Sequence, residues 1–305
     1  MAPPLSPLSA QEATLESTAM TIRPTTDQDL PAWFHELTPL FVVGCPRSGT
    51  TWIQRMLLEL DGVVGGPETH FFPAFASTFQ AYRDSASEGK KVGLGWYLEE
   101  DELLRELRRI WVVLMAPLVE HAESPQVLLE KTPNHVRFAQ EVHSLLPEAR
   151  FLHVIRDGRA VVASLLAASK SWGRAWAPSS VDDAIRMWSR DVRAGLEARE
   201  LVGDAQYLEI RYEDVHAQPL ESLRRIARFA GLDPKDEALG EAVQLHDAAT
   251  IRSGKGHAAW AGEPEGFLRK ANPDAWREDL GFWTRRRVRR RAGTLLDALG
   301  YDSRG

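Results

Sequence analysis

The chain has one cysteine in 305 residues, so it cannot carry an internal disulfide, and a bridged secreted scaffold is excluded. It has no excess of positive charge. Its 37 basic and 43 acidic side chains leave a formal net charge of −6, which argues against a broad binder of nucleic acid or anionic membranes. No apolar run approaches the ~20 residues that a membrane span needs. The N-terminus shows no charged stretch followed by an apolar one, so no secretory signal is read and a cytoplasmic setting is expected. Internal repeats are absent. No His, Cys, Asp or Glu cluster has structural metal spacing, so the sequence calls for no metal.

A hydrophobic fraction of 44% is ordinary for a globular chain and supports a core that stands without staples. Residues 1–37 are rich in Pro, Ser, Thr and Ala without sustained periodicity and read as a flexible arm, leaving 38–305 as a single domain. Within it, apolar runs at 39–45, 127–130, 149–155 and 206–212 read as strands. Helical spacing follows at 50–60, 98–120, 134–146, 158–170, 180–202, 219–230 and 281–299. Continuous rather than alternating apolar strands, each followed by a helix, predict an α/β fold of three layers: a central parallel sheet flanked by helices. The segment 72–95 has no clean period and reads as a lid, a substrate loop or a plain surface connection.

The first strand ends in Gly44-Cys45-Pro46-Arg47-Ser48-Gly49-Thr50-Thr51, with the glycine spacing of a P-loop. In such a loop successive backbone N–H groups face one concavity and hold phosphate oxygens, and the next helix adds the positive end of its dipole. The position of the P-loop lysine is Thr50, and the cation stands inside the loop as Arg47. A nucleotide triphosphatase needs that lysine on its β- and γ-phosphates, so the loop points to an anionic group handled differently. Strand 149–155 leads into Arg156-Asp157-Gly158-Arg159, and Ser164 lies about two turns into the helix beyond. A basic residue at the carboxyl end of a strand sits where open α/β sheets bind ligands, and a hydroxyl can share its phosphate.

The string Pro46-Arg47-Ser48-Gly49-Thr50-Thr51-Trp52 resembles the 5′-phosphosulfate loop of sulfotransferases that use 3′-phosphoadenosine 5′-phosphosulfate (PAPS). Arg156-Asp157-Gly158-Arg159-Ala160 with Ser164 is similar to the 3′-phosphate motif of that family. The resemblance implies a P-loop-like fold, PAPS as co-substrate, and Arg47, Ser48, Gly49, Thr50, Thr51, Trp52, Arg156 and Ser164 as its ligands. Glu209-Ile210-Arg211-Tyr212-Glu213-Asp214 resembles a segment whose tyrosine contacts adenine, which points to Tyr212, although a tyrosine at a strand end is commonly a packing residue. Phe267 to Trp276 is similar to a loop in which Arg269 and Lys270 close over the 3′-phosphate, although Ala271 and Pro273 replace its glycines. Ser253 is a further candidate there.

Sulfonyl transfer is an in-line displacement that needs positioned partners, stabilised charge and a base for the acceptor proton. Glu68-Thr69-His70-Phe71-Phe72 looks like the segment that supplies a catalytic glutamate in carbohydrate and tyrosyl members, which points to Glu68. His70 has the more convenient unperturbed pKa and is the alternative base, with His135 third. Lys131, ending strand 127–130, reaches the same sheet edge and could steady the sulfonyl oxygens. Cys45 reads as a packing residue, and the run Arg285 to Arg291 as a solvated helix face. The expected acceptor is a small-molecule, carbohydrate or lipid-like hydroxyl. A P-loop kinase or NTPase, with Asp157 as its metal carboxylate, and a catalytically silent nucleotide-binding relative are the competing readings.

Overall fold

The structure is a computed structural model and describes residues 29–87, 93–253, 263–264, 266–267 and 272–303. Among these residues a parallel sheet has five strands: β1 (Thr38–Gly44), β2 (Val63–Gly65), β3 (Val127–Glu130), β4 (Arg150–Ile155) and β5 (Tyr207–Arg211). Their spatial order is β2-β3-β1-β4-β5, and β1 lies in register with both neighbours, Phe41 beside Glu130 and Phe151. Because side chains alternate along a strand, β1 feeds two cores. Phe41 and Val43 join Phe72, Trp111 and Phe151 on one face; Leu40 and Val42 join Ile53, Met56, Leu152 and Ile210 on the other. Burial on both faces explains why these strands are unbroken apolar runs.

From β1 the chain turns one way to β2, and from β4 it turns the other way to β5. The adjacent strands β1 and β4 therefore flank a topological switch point, where open α/β sheets form a crevice at the strand ends. The loops carrying Arg47 and Arg156 leave from these two strands. Helices Thr50–Leu58 and Gly158–Ala168 continue from those loops. Helix Val181–Val202 packs so closely on β4 that a Cβ at Gly195 would stand 2.1 Å from the ring of His153. A side chain there would have to displace a buried imidazole.

Three expectations change. The segment 72–95 is neither lid nor loop over its first part: residues Phe71–Ser87 form a helix, with Phe71, Phe72 and Phe79 buried in the core. The arm boundary at residue 38 falls late, because helix Ala32–Glu36 precedes β1, Leu30 and Leu37 are buried, and Trp33 and Phe34 pack on the core. The helix expected at 134–146 begins as a 3₁₀ turn, Pro133–Phe138, before the α-helix Ala139–Leu145.

Candidate active site

The loop after β1 adopts a conformation few residues tolerate. Gly44 has φ +146°, and a Cβ there would stand 2.5 Å from the Val154 carbonyl oxygen. Gly49 has φ +100°, and a Cβ would strike the ring of Tyr212 at 2.5 Å. Arg47 takes a left-handed φ of 76° without being glycine, which costs of order 1 kcal/mol that the surroundings must offset. The Ser48 N–H donates to the Cys45 carbonyl at 3.1 Å and closes the turn. Helix Thr50–Leu58 then begins, its first N–H groups lacking intrahelical partners as at any helix start. Ser48 and Thr50 are buried; Thr51 is half-buried and lines the cleft beside Glu68.

The two predicted phosphate motifs meet. Arg47 Nε donates to Ser164 Oγ at 3.0 Å across 117 residues of sequence. Arg47 Nη2 donates to the Phe267 carbonyl at 2.6 Å, and the guanidinium lies over the rings of Phe267 (4.7 Å) and Trp172 (5.1 Å). Arg156 Nη1 donates to the Arg47 carbonyl at 3.2 Å, and its guanidinium lies 4.0 Å from the Tyr212 ring centroid. Its buried Nε has no partner among the described residues. A buried donor without a partner is costly, and an anionic oxygen is the partner that suits it. Tyr212 is itself buried, wedged between Gly49, Arg156 and Trp52, so its evident work is to brace the loop. The Trp52 indole N–H donates to the His246 carbonyl at 3.0 Å.

Asp157 is spoken for. Its side chain caps helix Gly158–Ala168 by accepting the Arg159 N–H, and both its oxygens are held by the Arg159 guanidinium. Arg159 in turn stacks on Trp276 at 4.1 Å. A carboxylate engaged in this way is not disposed as the metal carboxylate of a nucleotide triphosphatase.

The acid–base candidates also converge. Lys131 Nζ lies 2.5 Å from Glu68 Oε1, and His70 Nε2 lies 3.4 Å from Glu68 Oε2. Lys131 is buried, whereas Glu68 is 35% exposed and His70 58%, so the pair faces solvent through the glutamate. The segment bearing Glu68 and His70 is fastened to the end of β3 by buried Glu130. This carboxylate accepts from Thr69 Oγ1 (2.9 Å), Thr132 Oγ1 (2.5 Å), the Thr132 N–H (3.1 Å) and His135 Nδ1 (2.9 Å). Burial alone would raise the Glu130 pKa, but His135 and the hydrogen bonds from His135, Thr132 and Thr69 outweigh it and hold the carboxyl below its ordinary value.

His135 is therefore corrected from a third candidate base to a buried partner of Glu130. Burial pushes the Cys45 thiol well up, which suits packing and not nucleophilic attack. Ser253 is exposed and donates its hydroxyl to the Thr250 carbonyl at the end of helix Ala248–Arg252. Arg269 and Lys270 lie outside the described residues.

Several cleft residues carried no motif. A cavity of about 450 Å³ beside Glu68 and His70 is walled by Trp172, Trp176, Met187 and Phe267, with Asn134 and Arg137 as polar members. Arg137 is fixed by buried Asp191 through two hydrogen bonds, Nε–Oδ1 at 2.6 Å and Nη2–Oδ2 at 3.1 Å. The one sequence signal was the pair of tryptophans four apart in a stretch without helical or strand period.

A switch-point phosphate loop, a second strand-end arginine with its serine and an adjoining glutamate–lysine pair define the class. The chain belongs to the Sulfotransferase family, whose profile matches residues 39–237. It is 32% identical over 188 residues to human protein-tyrosine sulfotransferase 1, covering 60% of this chain and 49% of that protein. It is 26% identical over 204 residues to chicken (Gallus gallus) protein-tyrosine sulfotransferase 2, covering 67% and 54%. The chain thus spans about half the length of the curated relatives it matches. Its fold resembles the sulfotransferase domain of the Synechococcus PCC 7002 olefin synthase, with TM-score 0.57 at 21% identity over 88% of this chain and 96% of that one. A sulfotransferase domain from the curacin biosynthetic pathway gives the same TM-score at 16% identity, covering 87% and 98%.

Proposed function

We propose that the protein transfers the sulfonyl group of PAPS to a hydroxyl acceptor. The observation that carries this reading is the 3.0 Å hydrogen bond from Arg47 to Ser164, which joins two separate phosphate motifs beside the Glu68–Lys131 pair. PAPS would supply a sulfonyl group already attached to a good phosphate leaving group. Arg47 and the N–H groups at the start of helix Thr50–Leu58 would hold the 5′ end, and Arg156 with Ser164 the 3′-phosphate. Trp52 would flank the base.

Glu68 takes the acceptor proton as the acceptor oxygen bonds to sulfur and the sulfur–phosphate oxygen bond breaks. The products are the sulfate ester and adenosine 3′,5′-bisphosphate. Lys131 fixes the Glu68 carboxylate and brings a positive charge to the sulfonyl oxygens as their charge grows. His70 stands on the far oxygen of Glu68, placed to pass the proton to solvent. Thr50 in place of the P-loop lysine and the capture of Asp157 by Arg159 both disfavour a Mg²⁺-dependent kinase.

The tryptophan-walled cavity and the relatives named protein-tyrosine sulfotransferases favour a hydroxyl on a flat ring, a phenol first. A cytoplasmic setting remains part of this reading and is checked by fractionating expressing cells. The decisive experiment supplies labelled PAPS with tyrosyl peptides, simple phenols, sugars and lipid alcohols. Transfer to none of them, alongside Mg²⁺-dependent ATP turnover, would overturn the assignment.

A further inference from the structure

The arginine run takes no part in the site described above. It lies on helix Phe282–Ala298, which buries Val288, Ala292 and Leu296 against the core. Two of its arginines, both exposed, share one acid: Arg287 Nη2 lies 2.8 Å from Asp182 Oδ2, and Arg291 Nε 3.2 Å from Asp182 Oδ1. Arg286, Arg289 and Arg290 are exposed and have no acidic partner among the described residues. Their spacing of three and four puts them on one outward face. One turn ahead on that face stand Phe282 and Trp283, 62% and 77% exposed.

The arginine-bearing surface continues on helix Val181–Val202, where Arg186, Arg190 and Arg193 are exposed, Arg186 paired with Asp183 and Arg190 with Asp191. With Arg291 they line a groove of about 610 Å³ that also includes Met187, a wall of the aromatic cavity. An arginine-rich surface thus runs from the edge of the candidate active site to two large aromatic side chains in water. Phe282 and Trp283 are adjacent, highly exposed, and border the arginines that have no acidic partner among the described residues. Their amphipathic rings suit the head-group zone of a bilayer, and the arginines its anionic phosphates.

We propose that this face docks on an anionic lipid surface, with Phe282 and Trp283 entering the head-group region and Arg286, Arg289 and Arg290 on lipid phosphates. The net charge of −6 averages over the chain and hides this concentration of arginine. A helix bearing both signals binds reversibly, and salt weakens the electrostatic part.

The test is co-sedimentation of the whole protein with vesicles of phosphatidylcholine alone and of an equal mixture with phosphatidylglycerol. The wild type should sediment with the mixed vesicles only. Replacing Arg286, Arg289 and Arg290 together by Gln should weaken that binding roughly 100-fold, since each arginine is worth about a factor of five near such a surface. Phe282→Ser with Trp283→Ser should weaken it about tenfold. All five side chains are exposed, so melting curves should be unchanged, and the triple Lys variant should keep the binding. Equal sedimentation with neutral vesicles, or none with either, would overturn the proposal. So would an arginine variant that fails while the aromatic variant binds like wild type, the signature of a surface for a soluble polyanion or an acidic protein.

Discussion

The two sides of the candidate active site are built on different plans. On the donor side, Ser48, Thr50, Asp157, Arg159 and Ser164 are all buried, and Arg47 and Arg159 are each tied to a distant segment of chain. On the acceptor side, Glu68, His70 and Trp176 stay partly in water, and the cavity draws its walls from several loops. A fixed nest of cations and N–H groups suits a ligand that never changes. Trp176 and Met187 in the open wall can be altered without touching that nest, whereas Trp172 and Phe267 also lie against Arg47.

Five experiments probe this contrast, in decreasing order of expected effect. Arg47→Ala should lower kcat/KM by about 10²–10³ and weaken adenosine 3′,5′-bisphosphate binding. Unchanged affinity by calorimetry would remove the donor side from the loop. Glu68→Gln should cut kcat by roughly 100-fold with nucleotide affinity intact, which separates the two sides directly. Loss of both together would mean that they act as one unit.

Acid should weaken the donor side from within. Burial holds the His153 imidazole at about 3, against an ordinary 6.5, so the folded protein keeps it neutral. As pH falls below 6.5 the unfolded chain takes a proton that the folded chain refuses. This part of the stability is therefore whole above that pH and drains away towards 3, with ~2 kcal/mol lost between pH 7 and 5. Denaturant unfolding at the two pH values should show this, and His153→Gln should flatten the slope. Glu130→Gln should lower kcat about tenfold while sparing the KM for PAPS, because Glu130 holds the Glu68 segment and not the donor. An unchanged kcat would reduce Glu130 to a stability residue. Trp176→Ala should raise the acceptor KM a few-fold and leave the donor KM alone, matching the ~1 kcal/mol of an aromatic contact.

Much of the donor side was legible because it is local. A strand, a glycine-spaced loop and a helix follow one another within 38–58, and a strand, a short loop and a helix carry the second motif within 150–168. The strands at 39–45, 127–130 and 149–155 were legible because burial on both faces makes them largely continuous apolar runs. β2 escaped because it has three residues between glycines. Helix Phe71–Ser87 escaped although Phe71, Phe75 and Phe79 keep helical spacing, since Pro73 and the polar run after Tyr82 masked the period. Pro73 is tolerated because it falls in the first turn. Met187 and Arg137 could not be foreseen, because only the fold brings them to the cavity beside Glu68.

The carbonyl of Phe267 that receives Arg47 lies beyond the end of the family match at residue 237, and so do Trp276 under Arg159 and Asp302, whose carbonyl accepts from that same arginine. The matched stretch is therefore not a portable unit. A fragment cut after residue 237 would keep every signature residue before it, yet leave Arg47 and Arg159 short of the contacts that aim them. Anyone shortening the gene for screening or fusing a partner at its end should keep the chain through residue 302.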